Sequence, residues 1–437
     1  MLFPLPLKLK QGLTGLLFFA STFAFHAQTA SSQHSEPLSE DAPETVGMSS
    51  ERLDRISNML QTAVDENQIP GAVALIVKDG KIVFHEAFGE ANAEGEKLEK
   101  DDVFRIASQT KAITATAVMM LWEEGKFQLD DPISKYIPEF EDPQVLESFN
   151  EADSSYTAKP ADKEITIRHL LTHTSGLGYG MIDADARIRK IYQKAGVTEL
   201  FTTDNVEIEE VIKKLGKLPL HHNPGEKFTY SMSLDVLGYF IEVVSGQSFS
   251  DYLVEHIFDP LEMDDTRFYQ PERNEERLVS VQYKEDGEWK NLQPGFYDPN
   301  YPVKGARTFY SGGAGLSSTA EDYATFLQMY LNKGELNGTR LLSRTTVESI
   351  LENHSGDLFG GKDKFHGIAF SVVTPEGEAM GGIGSTGTFD WGGYFNTQYF
   401  ADPEENIIGI LMKQTSGGTG DQTDWKFRQM VMAGVDN

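Results

Sequence analysis

Ser108 and Lys111 stand three residues apart in "IASQTKAIT", residues 106–114, at the front of an apolar run. Positions i and i+3 of a helix share a face, so a lysine amine at 111 lies beside a hydroxyl at 108. A serine hydroxyl becomes a nucleophile when a neighbouring base takes its proton. A buried lysine can be that base, because a low-dielectric surrounding disfavours the ammonium. A helix start adds free backbone amides and partial positive charge, which suit an oxyanion formed at Ser108. The spacing alone decides little. Serine is a common helix N-cap, and S-x-x-K arises about once by chance in a chain this long. The residues from Lys111 onward are more telling: "KAITATAVMMLWEEGK" is apolar on nearly all sides from Ala112 to Trp122 and closes at Gly125. That is the pattern of a helix through an interior, where a lysine needs a reason.

Elements at both ends of the chain must hold such a helix. Leu53, Ile56, Leu60 and Ala63 recur at helical spacing after Ser49, predicting an amphipathic helix. "AVALIVKDGKIVFHEAFG", residues 72–89, is two β-rich runs split by Asp79-Gly80, a hairpin signal. Near the other end, "HGIAFSVVT", "GGYFNTQYFAD" and "NIIGILMKQ" read as strands, and "DQTDWKFRQMVMAG" as a closing helix. The middle is dominated by helical patterns such as 233–245, 247–258 and 320–332, with Ser318 or Thr319 as a cap for the last. The fold class predicted is α+β: an antiparallel sheet built from both termini, about 47–107 and 356–437, flanked by helices. A mostly helical part, about 108–355, is inserted between them.

Before residue 47 the chain reads differently. Lys8 and Lys10 precede "GLTGLLFFASTFAF", shorter than the ~20 residues of a membrane span, and Ala24 and Ala27 offer a cleavage region. Residues 1–27 are thus expected to be a signal peptide and 28–46 a polar linker, with one domain over 47–437. Removal of the signal takes the formal charge from −29 to −31. Such acidity argues against nucleic acid or an anionic membrane as a partner. With no cysteine there is neither a disulfide nor an acylated lipoprotein anchor, so export implies periplasm or medium. Hydrophobic content of 39% is enough to build a core and argues against disorder.

Four segments carry a resemblance: "FRIASQTKAIT", "LDDPISKYIPEF", "ITIRHLLTHTSGL" and "PGEKFTYSMSLDVLGYFIEVVSG", in that order. Together they resemble the serine β-lactamase, penicillin-binding protein and esterase superfamily, over about residue 46 to the C-terminus. The resemblance implies a β-lactamase/transpeptidase-like fold with the active site between sheet and helical part. It implies Ser108 as nucleophile, Lys111 as its base and Tyr230 as a second proton-transfer group. The family's Y-x-N reads Tyr230-Ser231-Met232 here, so the asparagine that holds a substrate amide is replaced by a thioether that cannot donate. Where penicillin-recognising members carry K-T-G, the chain has Trp391-Gly392-Gly393. The glycines let substrate lie against the strand, and the Tyr394 amide becomes the second oxyanion donor beside the Ser108 amide. W-G-G is similar to the family VIII carboxylesterases. Trp391, Gly392, Gly393 and Met232 are therefore expected at the substrate.

These departures favour an exported serine hydrolase acting on carboxylic esters by acyl-enzyme, with a small-molecule ester or amide as substrate and no metal or organic cofactor. A D,D-peptidase or β-lactamase is the enzymatic alternative, and a non-catalytic binding protein that keeps the cleft is the other. His169 and His173 are four apart, but no H-E-x-x-H accompanies them, so they read as structural. His221 and His222 are expected in a loop, within sequence reach of the cleft rim. "GGIGSTG" lacks the P-loop lysine.

Overall fold

The computed structural model of the protein describes residues 35–436, apart from 296 and 419. The expected signal segment lies outside the described residues, as does the linker up to residue 34. Three strands come from the first part of the chain: β1 (Ser39–Glu40), β2 (Gly71–Lys78) and β3 (Lys81–Gly89). Five come from the last: β4 (Lys364–His366), β5 (Ser371–Val373), β6 (Phe389–Gly392), β7 (Thr397–Asp402) and β8 (Ile407–Met412). They form one sheet in the order β1-β3-β2-β8-β7-β6-β5-β4. The junction of the two parts is the β2–β8 pair, in which Leu75 faces Ile410 and Val77 faces Ile408. The β2–β3 hairpin turns at Asp79 and Gly80, with φ of 53° and 76°, the left-handed values an Asp-Gly pair accepts.

The sheet is antiparallel except at one edge, where β1 runs parallel to β3. The linker reading is corrected there. Ser39 and Glu40 carry no apolar signal because main-chain pairing alone adds them to an edge, helped by Lys81 Nζ donating to Ser39 Oγ at 2.9 Å.

Helix α1 (Ser50–Asp65) is capped by Ser49, whose side chain accepts from the Arg52 amide. Its stripe of Leu53, Ile56, Leu60 and Ala63 joins Phe427 and Val431 in covering one sheet face, against Ala72, Ala74 and Ile76. The other face, with Val73, Leu75, Val77, Ile408, Ile410 and Met412, belongs to the main core. Each such aliphatic side chain fully buried contributes about 1.5–3 kcal/mol. Helix α2 (Thr110–Glu123) runs through this core and is buried at every position from Thr110 to Met119. It packs on α3 (Ser233–Ser245), while α4 (Ala320–Leu331) lies across β2 and β8. Thr319 caps α4 by accepting from the Asp322 amide at 3.1 Å. The chain closes with α5 (Thr423–Ala433) beside α1.

The middle is less purely helical than its periodicity suggested. It includes hairpins at Gln144–Phe149 with Tyr156–Pro160 and at Gln282–Glu285 with Glu288–Asn291, both short and largely solvent-facing. The expected helix over 247–258 is a short α-helical piece, Phe249–Leu253, widening into a π-type turn at Val254–Phe258.

Candidate active site

Ser108 stands in a tight 3-10 turn, Ala107–Gln109, that leads into α2. Ala107 before it has φ of 45°, a left-handed conformation that costs an alanine roughly 1–3 kcal/mol. Its surroundings over-determine the strained turn. The Ile106 amide donates to the Leu316 carbonyl at 3.1 Å, and Tyr323 donates its hydroxyl to the Gln109 carbonyl at 3.0 Å. Buried Arg105 donates to the carbonyls of Tyr301, Val279 and Pro299. The nucleophile is therefore presented by rigid backbone.

Lys111 is 1% exposed, and its Nζ lies 3.3 Å from Ser108 Oγ, 3.0 Å from the Tyr179 hydroxyl and 2.7 Å from the Gly313 carbonyl. The last partner can only accept, so one N–H of Lys111 points at it. The carbonyl comes from "SGGAG", residues 311–315, strapped along α2 by Thr114 Oγ1 donating to the Gly312 carbonyl at 2.7 Å. Glycine is required here by approach: a Cβ on Gly312 would sit 2.2 Å from the Leu234 carbonyl.

Tyr179 is a contact that sequence reading missed. Nothing in spacing links it to Lys111, and its only signal is its place directly after "THTSGLG". Burial, reinforced by Tyr230, Asp235 and Glu199, holds its phenol well above the usual tyrosine range, so it stays neutral. Its segment is clamped by two carboxylates. The Tyr179 amide donates to Asp183 at 2.8 Å, and the Gly180 and Met181 amides donate to Glu199. Glu199 is pushed up to about 7 by burial, against the pull of those two amides.

Tyr230 also reaches Lys111, in a different way from a simple relay. Its ring lies over Nζ, 4.6 Å from the centroid, and its buried hydroxyl has no hydrogen-bond partner among the described residues. Stacking explains the pose: His173 at 4.7 Å, Tyr179 at 5.6 Å and Trp391 at 5.9 Å surround the ring. Such cation–π contact is worth about 2 kcal/mol when desolvated.

Trp391 and Gly392 end β6, paired with Tyr399 and Gln398 of β7. On the other side β5 pairs only as far as Asp390, leaving the strand end without a partner there. Gly393 is packed so closely that a Cβ would lie 2.5 Å from the Ile106 carbonyl and 2.2 Å from Thr397 Oγ1. This contact ties residues 393 and 394 to the turn that carries Ser108. Met232 departs from expectation. It is wholly buried at the start of α3, where its amide donates to the Gly178 carbonyl, so its thioether fills the core and presents no surface to a substrate.

Two cavities flank the facing rings of Tyr230 and Trp391. One, about 450 Å³, is bounded by Tyr179, Ile182, Ala184, Phe228 and Tyr230, with His221 at its edge as the sequence suggested. The other, about 420 Å³, is bounded by Phe359, Trp391, Gly392, Gly393 and Thr397, with Lys364 bound to Asp390. Phe228, Phe359, His366 and Trp391 form an aromatic wall, their neighbouring centroids 5.0–6.3 Å apart. Burial lowers His366 to about 4, so that wall is uncharged near neutrality. His173 is likewise held neutral by burial and shares a proton with Ser231 at 3.2 Å. His169 accepts from the Thr166 amide at 3.1 Å and closes a helix start, a structural role. A larger cavity, about 590 Å³ beside Trp289 and Lys97, has no serine or histidine on its walls.

The pattern of the beta-lactamase family matches residues 56–431, most of the described chain. The chain belongs to the beta-lactamase family. Among its relatives in that family is esterase EstB of Burkholderia gladioli, 29% identical over 379 residues that span 83% of this chain and 90% of the relative. Another is lovastatin esterase of Penicillium rubens, 28% identical over 376 residues, 80% of this chain and 90% of the relative. The solved structure of EstCE1, a hydrolase with promiscuous acyltransferase activity, superposes with a TM-score of 0.74 at 25% identity, covering 87% of this chain and 98% of that one. The β-lactamase-family chain thus has the β-lactamase/transpeptidase-like fold and is a serine hydrolase.

Proposed function

We propose that the protein is a carboxylesterase that works through an acyl-enzyme on Ser108. The observation that carries this reading is the buried Lys111 amine 3.3 Å from Ser108 Oγ, at the foot of a cleft whose sheet wall ends in Trp391-Gly392-Gly393. Ser108 Oγ attacks the ester carbonyl while Lys111 and Tyr230 move its single proton. The amides of Ser108 and Tyr394 receive the oxyanion, the proton passes to the departing alkoxide, and water then releases the acid. The uncharged aromatic wall supports apolar, uncharged ester groups over carboxylate-bearing peptides. The names of EstB and lovastatin esterase support the same class. Export, through the segment read as a signal peptide, is part of the proposal.

The test is turnover of a short-chain aryl ester beside a chromogenic cephalosporin, with parent and Ser108→Ala. Expected are ester hydrolysis, little cephalosporin turnover, and a dead variant that no longer takes a covalent label. Unchanged turnover by Ser108→Ala overturns the nucleophile assignment; clear preference for the cephalosporin overturns the ester assignment. Recovery of a chain shortened at its N-terminus from the periplasm or medium tests export.

A further inference from the structure

The strap from Tyr179 to Asp183 starts at the phenol that touches Lys111 and is moulded onto two acids. The Gly180 and Met181 amides donate to the two oxygens of Glu199, at 2.8 and 2.5 Å, and Asp183 Oδ2 accepts from the Tyr179 amide at 2.8 Å. Only glycine fits against them: a Cβ on Gly178 would overlap Asp183 Oδ2, and one on Gly180 would overlap Glu199 Oε1. Leu200, next to Glu199, has φ of 61°, a left-handed conformation unfavourable to leucine. A carboxyl drawn out of water and a strained residue are costly means of fixing a surface loop, which needs neither to stay folded.

What this fixed backbone presents is apolar. Met181 is 52% exposed and Ile182 37%, the only neighbours in sequence among the large exposed apolar side chains of the described residues. One such side chain is ordinary; a pair on a clamped strap calls for an occupant. Ile182 also bounds the cavity of about 450 Å³ whose walls include Tyr179 and Tyr230. The Tyr179 phenol is therefore shared between Lys111 and this cavity, which opens toward Ile182. The cavity offers no free charge. Asp183 is engaged by the Tyr179 amide and His221, Asp185 by Arg187 at 2.6 Å, and neither lysine nor arginine is on the walls.

We propose that Met181 and Ile182 form a ledge that continues this cavity onto the surface and binds the apolar chain of the substrate, making them specificity-determining residues for uncharged esters with a long hydrocarbon chain. Glu199 touches no substrate and is a positioning residue, fixing the ledge through the Gly180 and Met181 amides. The inference rests on the esterase reading given under the proposed function. A chain too long for the cavity lies along Ile182 and then Met181, where each methylene leaves water on one side only. Full burial of a methylene is worth about fourfold in affinity, so burial of one side is worth about twofold.

The test is kcat/KM for aryl esters with acyl chains from acetate to decanoate, and for a matched series of acetates in which the alcohol is lengthened. In one of the two series the parent is expected to gain about twofold per methylene over the longer members. Replacing both ledge residues, Met181→Ser with Ile182→Ser, should remove that gain and lower the ratio of longest to shortest ester by about tenfold. Glu199→Gln puts an amide NH₂ where one backbone amide donates, so the same ratio should fall. Val243→Ser, exposed on α3 and on neither cavity wall, is the control and should keep the parent's ratio. A ratio unchanged by the two serines, a loss equal at all chain lengths, or no gain with length in either series overturns the ledge. Fluorescence polarisation of a labelled decyl ester on Ser108→Ala reads the ledge without turnover. Weaker binding after the two serine replacements supports the ledge and equal binding overturns it, whatever becomes of the acyl-enzyme reading. An active Ser108→Ala sinks that reading alone, so the two failures are distinguishable.

Discussion

Gly393→Ala should silence the enzyme while leaving it folded. The new Cβ would sit 2.5 Å from the Ile106 carbonyl oxygen and 2.2 Å from Thr397 Oγ1. Thr397 can rotate away; the Ile106 carbonyl cannot, because its residue is held by the Leu316 and Gln109 hydrogen bonds of the Ser108 turn. Ordinary contact is near 3.4 Å, so strand end and turn must part by roughly 0.9 Å. A donor poised at about 2.9 Å from the oxyanion would then stand beyond about 3.5 Å, outside hydrogen-bond range. Loss of one oxyanion donor costs about 10²–10³ in kcat, or about 2.7–4 kcal/mol of transition-state stabilisation. The assay is steady-state hydrolysis of an aryl acetate, with melting temperature measured alongside. Gly295→Ala is the control, since its Cβ would meet nothing closer than the Gln293 carbonyl at 3.9 Å. A Gly393→Ala protein with intact melting and kcat within about threefold of the parent would refute both the coupling of β6 to the Ser108 turn and the role of the Tyr394 amide.

Lys111→Met keeps the length of a fully buried side chain and removes its amine; kcat for esters should fall by about 10²–10⁴, and a near-normal rate in stopped assays would remove Lys111 from the mechanism. Ala184→Phe narrows the cavity of about 450 Å³ beside Tyr179 and Tyr230; KM should rise for bulky esters and stay level for acetates, whereas an equal effect across chain lengths would deny that cavity a place in binding. Asp322, at the start of α4, is pushed up to about 7, chiefly by burial, from an ordinary value near 3.8. Between those values the folded state keeps a proton that the unfolded chain has released, so its contribution is full below about pH 4 and is lost as pH rises through 7. Both hydrogen bonds to Asp322, from the Asp265 amide and the Thr266 hydroxyl, meet one oxygen, which asparagine retains. Asp322→Asn should thus flatten the fall of melting temperature between about pH 4 and 7; a slope equal to the parent's would contradict the assignment.

Much of this protein was legible from short stretches. Asp79-Gly80 announced its turn, and the α1 stripe and the all-round apolar α2 announced which helices are half and wholly buried. The three-residue spacing was enough to bring Lys111 to Ser108, though through a strained 3-10 turn and not a regular helix start. Met232 was misjudged because sequence position beside Tyr230 does not tell which way a side chain points once α3 is packed. β1 was missed because an edge strand needs only backbone.

By itself the sequence determined the local conformations and the nucleophile's nearest basic neighbour, because turn, helix and i,i+3 geometry depend on residues a few positions apart. Only the tertiary structure decided what surrounds that pair. Tyr179 and Gly313 come from separate parts of the chain and meet at Lys111, and Gly393 meets Ile106 from the far end. Close packing sets those distances, and with them the direction in which the lysine amine points.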